Sequence, residues 1–279
     1  MITEEQIQKA SAFHELHQKN LLLLPNIWDA LGASLVEHMG FPAVATASAS
    51  VAWSNGYKDA EQIPFYVALS QIKSIVNATS LPVTADIESG YSNSLPALKE
   101  KIQMLLDAGI AGINIEDFDH RNKKFFSIEE QCERLQLIKH VAKESGVPLF
   151  INARADVFAK TNDTDDKKLE MFLQRGKAYL QSGADCIFAL GVKEEEALQT
   201  IVQELNCPVN VLFFPGVPDL STLQRIGVRR VSFGPNLLKI AVAAMKNFMQ
   251  QLKEGKGLEL IEKNEVTSDF VSGLIGKNV

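Results

Sequence analysis

The segment 81–93, LPVTADIESGYSN, sets two carboxylates two residues apart, Asp86 and Glu88, behind the apolar run Val83-Thr84-Ala85 and ahead of Ser89 and Gly90. Side chains alternate along a strand with period two, so both acids point the same way if the extended backbone persists to Glu88. The glycine behind them lets the chain turn sharply. Two like charges this close repel unless a cation lies between them or one takes a proton, which suggests a hard metal ion. An acidic, solvated strand-to-helix loop accounts for the segment in isolation equally well. Two further apolar runs end in the same manner, Gly112-Ile113-Asn114-Ile115 in Glu116-Asp117 and Phe150-Ile151-Asn152-Ala153 in Arg154-Ala155-Asp156. Carboxylates and water suit magnesium, with manganese as an alternative, and the shortage of clustered His and Cys argues against zinc. Arg154 either pairs with Glu116 as a structural ion pair or holds a substrate carboxylate or enolate with its two-pronged donor face.

The elements that must position these residues follow from the hydrophobic pattern. Short apolar runs alternate with helical periodicity: 21–24 then 27–39, 43–47 then 63–78, 83–86 then 95–108, and 112–116 then 128–144. The alternation continues with 149–154 then 167–182, 186–189 then 194–205, 209–213 then 221–226, and 230–233 then 237–252. Most helical stretches end in a glycine before the next run, as at Gly40, Gly109, Gly146, Gly183 and Gly227. Eight strand–helix units with near-continuous apolar strands predict an α/β fold, a (β/α)8 TIM-type barrel, with charged strand ends gathered at the C-terminal mouth. An open doubly wound sheet is the alternative, but Pro25-Asn26-Ile27-Trp28-Asp29 stands where a glycine-rich phosphate loop would follow the first strand. Residues 1–279 read as one domain. An N-terminal helix spans 3–19, opened by a capping box at Thr3 and Gln6, and residues 235–279 are C-terminal helices whose apolar residues need a surface to cover.

With 279 residues, 46% hydrophobic content and a net charge of −6, the chain can bury a full core and has no basic stripe for nucleic acid. The longest early apolar run, 21–24, is too short for a membrane span or signal core, which predicts a cytoplasmic protein with no membrane partner. Cys132, Cys186 and Cys207 form neither a zinc pattern nor a disulfide framework, and Cys132 belongs to a helical apolar stripe with Ile128, Leu135 and Ile138. His14, His17, His38 and His140 read as surface or boundary residues. Trp28 and Trp53 follow strand ends and could line the pocket, Trp28 being the better candidate. Asn210, between Val209 and Val211, either faces the mouth or bonds a neighbouring backbone group.

In order and spacing, Trp28-Asp29-Ala30-Leu31-Gly32-Ala33, Thr46 to Ser50, Gly56-Tyr57-Lys58-Asp59, Asp86 to Asn93, Gly112 to Asp117 and Ala153 to Asp156 resemble the isocitrate lyase and phosphoenolpyruvate mutase superfamily. The resemblance covers roughly residues 20–160. It implies a barrel whose eighth helix is exchanged between subunits of a homodimer or homotetramer. It further implies a magnesium ion held by Asp86, with water-mediated help from Asp59, Glu88 and Glu116. Arg154 and the backbone of Ala47, Ser48 and Ala49 would hold a small 2-oxo acid substrate. The implied chemistry breaks or makes a C–C or P–C bond beside that 2-oxo acid, through an enolate held on the metal.

The chain departs from this pattern in one loop. The superfamily's lyases carry a cysteine acid after the fourth strand, whereas residues 118–127 here read FDHRNKKFFS. That loop offers His120, whose ordinary pKa suits acid or base work, although an exposed basic loop explains the same residues. Leu190 replaces the histidine of phosphonopyruvate mutases, which weakens a phosphoryl-transfer reading. The expectation is therefore a magnesium-dependent enzyme cleaving a C–C bond, as a lyase or decarboxylase. P–C mutase or hydrolase chemistry, and non-catalytic binding of a 2-oxo acid, are the alternatives.

Overall fold

A computed structural model describes residues 2–275. Its strands are β1 (Leu22–Leu24), β2 (Asn26–Ile27), β3 (Val44–Thr46), β4 (Val83–Asp86), β5 (Gly112–Glu116), β6 (Phe118–Asp119) and β7 (Lys124–Phe125). They continue with β8 (Phe150–Ala155), β9 (Cys186–Ala189), β10 (Val209–Leu212) and β11 (Arg230–Ser232). Nine of them form one sheet in the order β1-β11-β10-β9-β8-β5-β4-β3-β2 with every pair parallel, and β6 and β7 form a separate antiparallel hairpin. β1 and β2 are two pieces of one strand on either side of Pro25. The first piece pairs with β11 and the second with β3, so the two ends of the sheet meet there and the barrel closes. Proline has no N–H to donate and interrupts the ladder, yet its carbonyl still accepts from Ala45 N at 3.2 Å.

The helices before the mouth loops are α1 (Glu4–Leu16), α2 (Ala30–His38), α3 (Ser48–Ser54), α4 (Phe65–Asn77), α5 (Leu95–Asp107) and α6 (Ile128–Glu144). They are followed by α7 (Val157–Lys160), α8 (Asp165–Gln181), α9 (Glu195–Leu205), α10 (Leu220–Arg225), α11 (Asn236–Lys253), α12 (Glu259–Glu262) and α13 (Ser268–Ile275). The eight predicted strand–helix units are all present within a few residues of their expected bounds. The periodicity did not reveal α3, α7 or the hairpin. α3 is built from small residues and begins at Ala47 with no side-chain cap, so neither an apolar stripe nor a capping signal marks it.

α1 closes the bottom of the barrel. Phe13 is fully buried edge-on to Phe150, 5.2 Å between ring centroids, and a Cβ on Gly112 would come within 3.0 Å of it. Thr3 accepts from Gln6 N as a cap should, but the reciprocal half of the predicted capping box does not form. The Gln6 amide instead donates to Leu106 O and Ile110 O at 2.8 and 3.1 Å, because those carbonyls are buried beneath α1 and have the greater need of a donor. His17 also departs from expectation. It is buried, stacks 4.0 Å from Phe150, donates from Nδ1 to Phe13 O at 2.8 Å, and burial drives its pKa down to about 3.

At the other end of the chain, α13 packs on α2, with Leu274 buried and Phe270 edge-on to His38. α11 carries Ile240, Met245, Met249 and Leu252 exposed on one chain. Among the described residues no helix is long and apolar enough to cross a membrane.

Candidate active site

A cavity of about 340 Å³ opens at the C-terminal ends of the strands, where the barrel argument placed it. Ala47, Ser48, Ala49, Asp59, Asp86 and Arg154 line it, as do Trp53, Leu190, Leu212, Arg230 and Lys239. Asp86, the last residue of β4, is held in one orientation. Ser48 donates to its Oδ2 from both N (3.1 Å) and Oγ (2.6 Å), and Asn114 Nδ2 donates to its Oδ1 at 2.9 Å. Asn114 in turn accepts from Asn152 Nδ2 at 2.9 Å, so a line of polar side chains crosses the barrel interior beneath the mouth. These asparagines sit two residues before Glu116 and Arg154, and strand alternation alone would have assigned them to the same inward face.

Glu88 does not share the direction of Asp86. The strand stops at Asp86, and Glu88, Gly90 and Tyr91 all take left-handed φ values of 51°, 88° and 54°. The extended geometry that would align the two acids therefore ends one residue too early. Glu88 turns away from the cavity lining and accepts from Glu61 N at 2.6 Å and Tyr91 Oη at 2.9 Å. Burial, with repulsion from Asp86, Glu116 and Asp59, pushes its pKa up to about 8. Two residues without any sequence signal hold this turn. Glu61 accepts from Ser89 Oγ and Tyr91 N at 2.6 and 2.7 Å and lies 3.3 Å from Arg121. Arg134, on α6, donates to Ser89 O and, at 3.1 Å, to Ser92 O.

Glu116 and Arg154 meet at 2.7 Å, and Arg154 also forks onto Asp156 at 2.5 and 2.8 Å. The ion-pair reading of Arg154 is thus realised while the residue still lines the cavity. Burial opposes its charge, but Asp156 and Glu116 outweigh that and hold the guanidinium firmly protonated. Asp117 points the other way, toward α8, where Tyr179 Oη and Arg175 Nη1 donate to it at 2.7 and 3.1 Å. It also accepts from Asp156 N at 2.9 Å, fixing the backbone behind Arg154.

Loop 118–127 is a β-hairpin, with Phe118 opposite Phe125 and Asp119 accepting from Arg121 N (2.9 Å) and Asn122 N (3.1 Å). Its turn aims His120 inward onto Glu116 Oε1. Arg121, Lys123 and Lys124 are exposed, whereas His120 is only 13% exposed, so the basic-loop reading holds for the neighbours and not for the histidine. Burial disfavours its protonation, yet the hydrogen bond to Glu116 and the charges of Glu116 and Glu88 overcome that and raise its pKa.

Several other expected roles are redistributed. Trp53, not Trp28, lines the cavity: β2 ends at Ile27 and Asp29 already caps α2, so the alternation that would aim Trp28 at the mouth stops before it. Ala47 N donates to Ile27 O and Ser48 N to Asp86, which leaves Ala49 N as the backbone donor of that trio with no hydrogen bond among the described residues. Asn210 is fully buried below the cavity lining and accepts from Ser232 Oγ at 3.1 Å.

Among the described residues no three His, Cys, Asp or Glu converge as a ready-made set of direct metal ligands. Asp86, Glu88 and Glu116 therefore do not form a closed first coordination sphere. What remains is one pinned carboxylate, Asp86, which with Glu116 and Asp59 lies near enough to Glu88 to raise its pKa, an oxygen-rich set of four acids. That chemistry fits a hard divalent cation bound by one or two carboxylates and otherwise by water.

The profile of the family described as phosphoenolpyruvate phosphomutase matches residues 13–253. A 2-methylisocitrate lyase of Halalkalibacterium halodurans is 28% identical over 263 residues, covering 90% of this chain and 84% of the relative. An oxaloacetate decarboxylase of Bradyrhizobium diazoefficiens is 26% identical over 259 residues, covering 87% and 85%. Among solved structures, a protein of Burkholderia cenocepacia J2315 provisionally described as a phosphonomutase is 36% identical with a TM-score of 0.84, covering 88% of this chain and 100% of that one. The barrel, its C-terminal cavity and this match along most of the chain agree: the protein belongs to the phosphoenolpyruvate phosphomutase family and is an enzyme of the isocitrate lyase and phosphoenolpyruvate mutase superfamily.

Proposed function

We propose that the enzyme is a magnesium-dependent lyase that cleaves a C–C bond beside the 2-oxo group of a small acid, by decarboxylation or retro-aldol reaction. The observation that carries this reading is Asp86, a carboxylate pinned by Ser48 and Asn114 at the edge of a cavity that Arg154 also lines. A residue held by three donors loses little orientational freedom when a ligand arrives. Asp86 would hold the cation, with Asp59, Glu88 and Glu116 bearing on its waters; manganese would serve the same donors. When bound, the cation supplies Lewis-acid stabilisation of developing oxyanion charge.

The chain's own residues account for the rest. Arg154, kept charged by Asp156 and Glu116, orients the substrate's carboxylate end, and Ala49 N offers a neutral donor beside it. Trp53, Leu190 and Leu212 wall the cavity and restrict water. Once the C–C bond breaks, its electron pair stays with the fragment bearing the 2-oxo group, and that carbon needs a proton. His120 holds one at Nε2 against Glu116 and is the proposed donor.

Asp86→Ala is expected to abolish both magnesium-dependent ligand binding and turnover, measured by calorimetry and by NMR of a 2-oxo acid panel. Full activity in that variant would defeat the assignment. P–C chemistry is the second reading, supported by the identity to the Burkholderia protein and opposed by Leu190 in the cavity wall. Turnover of phosphonopyruvate in preference to oxaloacetate would favour it, and binding without turnover of either would favour a non-catalytic role.

A further inference from the structure

Arg230 is the largest fully buried side chain among the described residues, 2% exposed, and it starts the last barrel strand. Its only hydrogen bond among the described residues runs from Nε to Ser232 Oγ at 3.2 Å, which directs the guanidinium up the strand toward the cavity it lines. Nη1 has no partner, and no carboxylate lies within ion-pair distance of the group among the described residues. Directly across the strand pair, Asn210 is fully buried with its Nδ2 unpartnered while its Oδ1 is taken by Ser232. The cavity floor therefore presents the Arg230 guanidinium, across the ring from β4 and β5, with the unpartnered Asn210 amide sealed beneath it.

Burial disfavours the charge of this guanidinium, and Asp86, whose charge favours it, lies beyond ion-pair distance. Arg154 pairs with Glu116 and Asp156 and Arg175 with Asp117, whereas Arg134, also without an ion pair among the described residues, donates to Ser89 O and Ser92 O and keeps a buried Nε without a partner. A buried water could satisfy a hydrogen bond here, but it brings no countercharge. An anion in the cavity supplies both an acceptor and a countercharge to the guanidinium.

We infer that Arg230, braced by Ser232 above the buried Asn210, forms an anion subsite at the cavity floor, which takes a second negatively charged group at the end of the substrate remote from its 2-oxo acid. The inference rests on the proposed function for the 2-oxo acid end alone. Binding energy from the remote anion would serve selectivity, because a buried guanidinium left without an acceptor penalises a substrate that lacks the group.

The test compares pyruvate, oxaloacetate and phosphonopyruvate, which share a 2-oxo acid end and carry no remote charge, a carboxylate or a phosphonate. Binding is followed by Trp53 fluorescence and thermal shift, each with and without magnesium, in wild type, Arg230→Met and Arg230→Lys. The expected result is at least a tenfold preference of wild type for one or both dianions over pyruvate, lost in Arg230→Met and partly kept in Arg230→Lys, with pyruvate affinity unchanged. Without ligand, Arg230→Met should melt at or above the wild-type temperature, since it removes a buried charge that has no ion-pair partner among the described residues. A wild type indifferent to the remote anion, a preference that survives Arg230→Met, or ligand-free variants that all melt markedly lower would overturn the subsite. Loss of magnesium dependence with the dianion preference intact would instead count against the proposed function only.

Discussion

Replacing Arg134 should loosen the turn that carries Glu88 without touching Asp86. The guanidinium is 4% exposed, makes no ion pair among the described residues, donates to Ser89 O and Ser92 O, and lies 4.4 Å from the centre of the Phe126 ring. Hydrogen bonds from a charged donor contribute about 1.5–3 kcal/mol each, and two buried carbonyls would be left without a partner. Arg134→Met also removes a buried charge whose desolvation lowers its pKa to about 10, which returns part of that sum. The net expected cost is about 2–4 kcal/mol, or ~4–8 °C in melting temperature at about 2 °C per kcal/mol for a chain of this length. Arg134→Lys keeps the charge but can serve the two carbonyls less well, and should fall between. Because three of the four positions 88–91 hold left-handed φ values, freeing the turn should weaken magnesium binding as well. Thermal melts with a magnesium titration read both effects. A Met variant that melts within about 1 °C of wild type and binds magnesium equally well would show that Arg134 does not clamp the turn.

Two further outcomes follow from the packing. The folded pKa of His17 lies near 3, below the unfolded value of about 6.5, so its contribution is complete above pH 6.5 and is lost at ~1.4 kcal/mol per pH unit as pH falls toward 3. His17→Phe should be about 2 kcal/mol less sensitive than wild type between pH 7 and 5 in urea unfolding, and parallel pH curves would contradict the assignment. We also propose that α11 is exchanged between subunits of a homodimer or homotetramer, since its apolar residues are exposed on one chain. Met245→Glu with Met249→Glu should then shift sedimentation toward the monomer, and an unchanged assembly would refute the exchange.

Local pattern decided much of this protein. Apolar strand runs, helical stripes and the glycines behind the helices are short-range properties, and they located the eight barrel units because each strand is buried on both faces wherever it sits in the ring. The same logic identified Asp86 and Arg154, which end their runs and do line the cavity. What the chain order could not decide is where a carboxylate or a ring goes once regular backbone stops. Glu88 lies two residues from Asp86 but turns onto Tyr91 and Glu61, because the strand ends and left-handed backbone takes over. His120 reaches Glu116 only through a hairpin whose turn is set by Asp119, and Trp53 reaches the cavity only because α3 forms. Arg230 stands in sequence at the head of the last predicted strand run, 230–233, with no site signal of its own. Only closure of β11 against β1 places it inside the barrel, where its lack of an ion-pair partner among the described residues gives it meaning. Pairing and burial are long-range properties, settled by partners up to two hundred residues away, and they exist once the ring is shut.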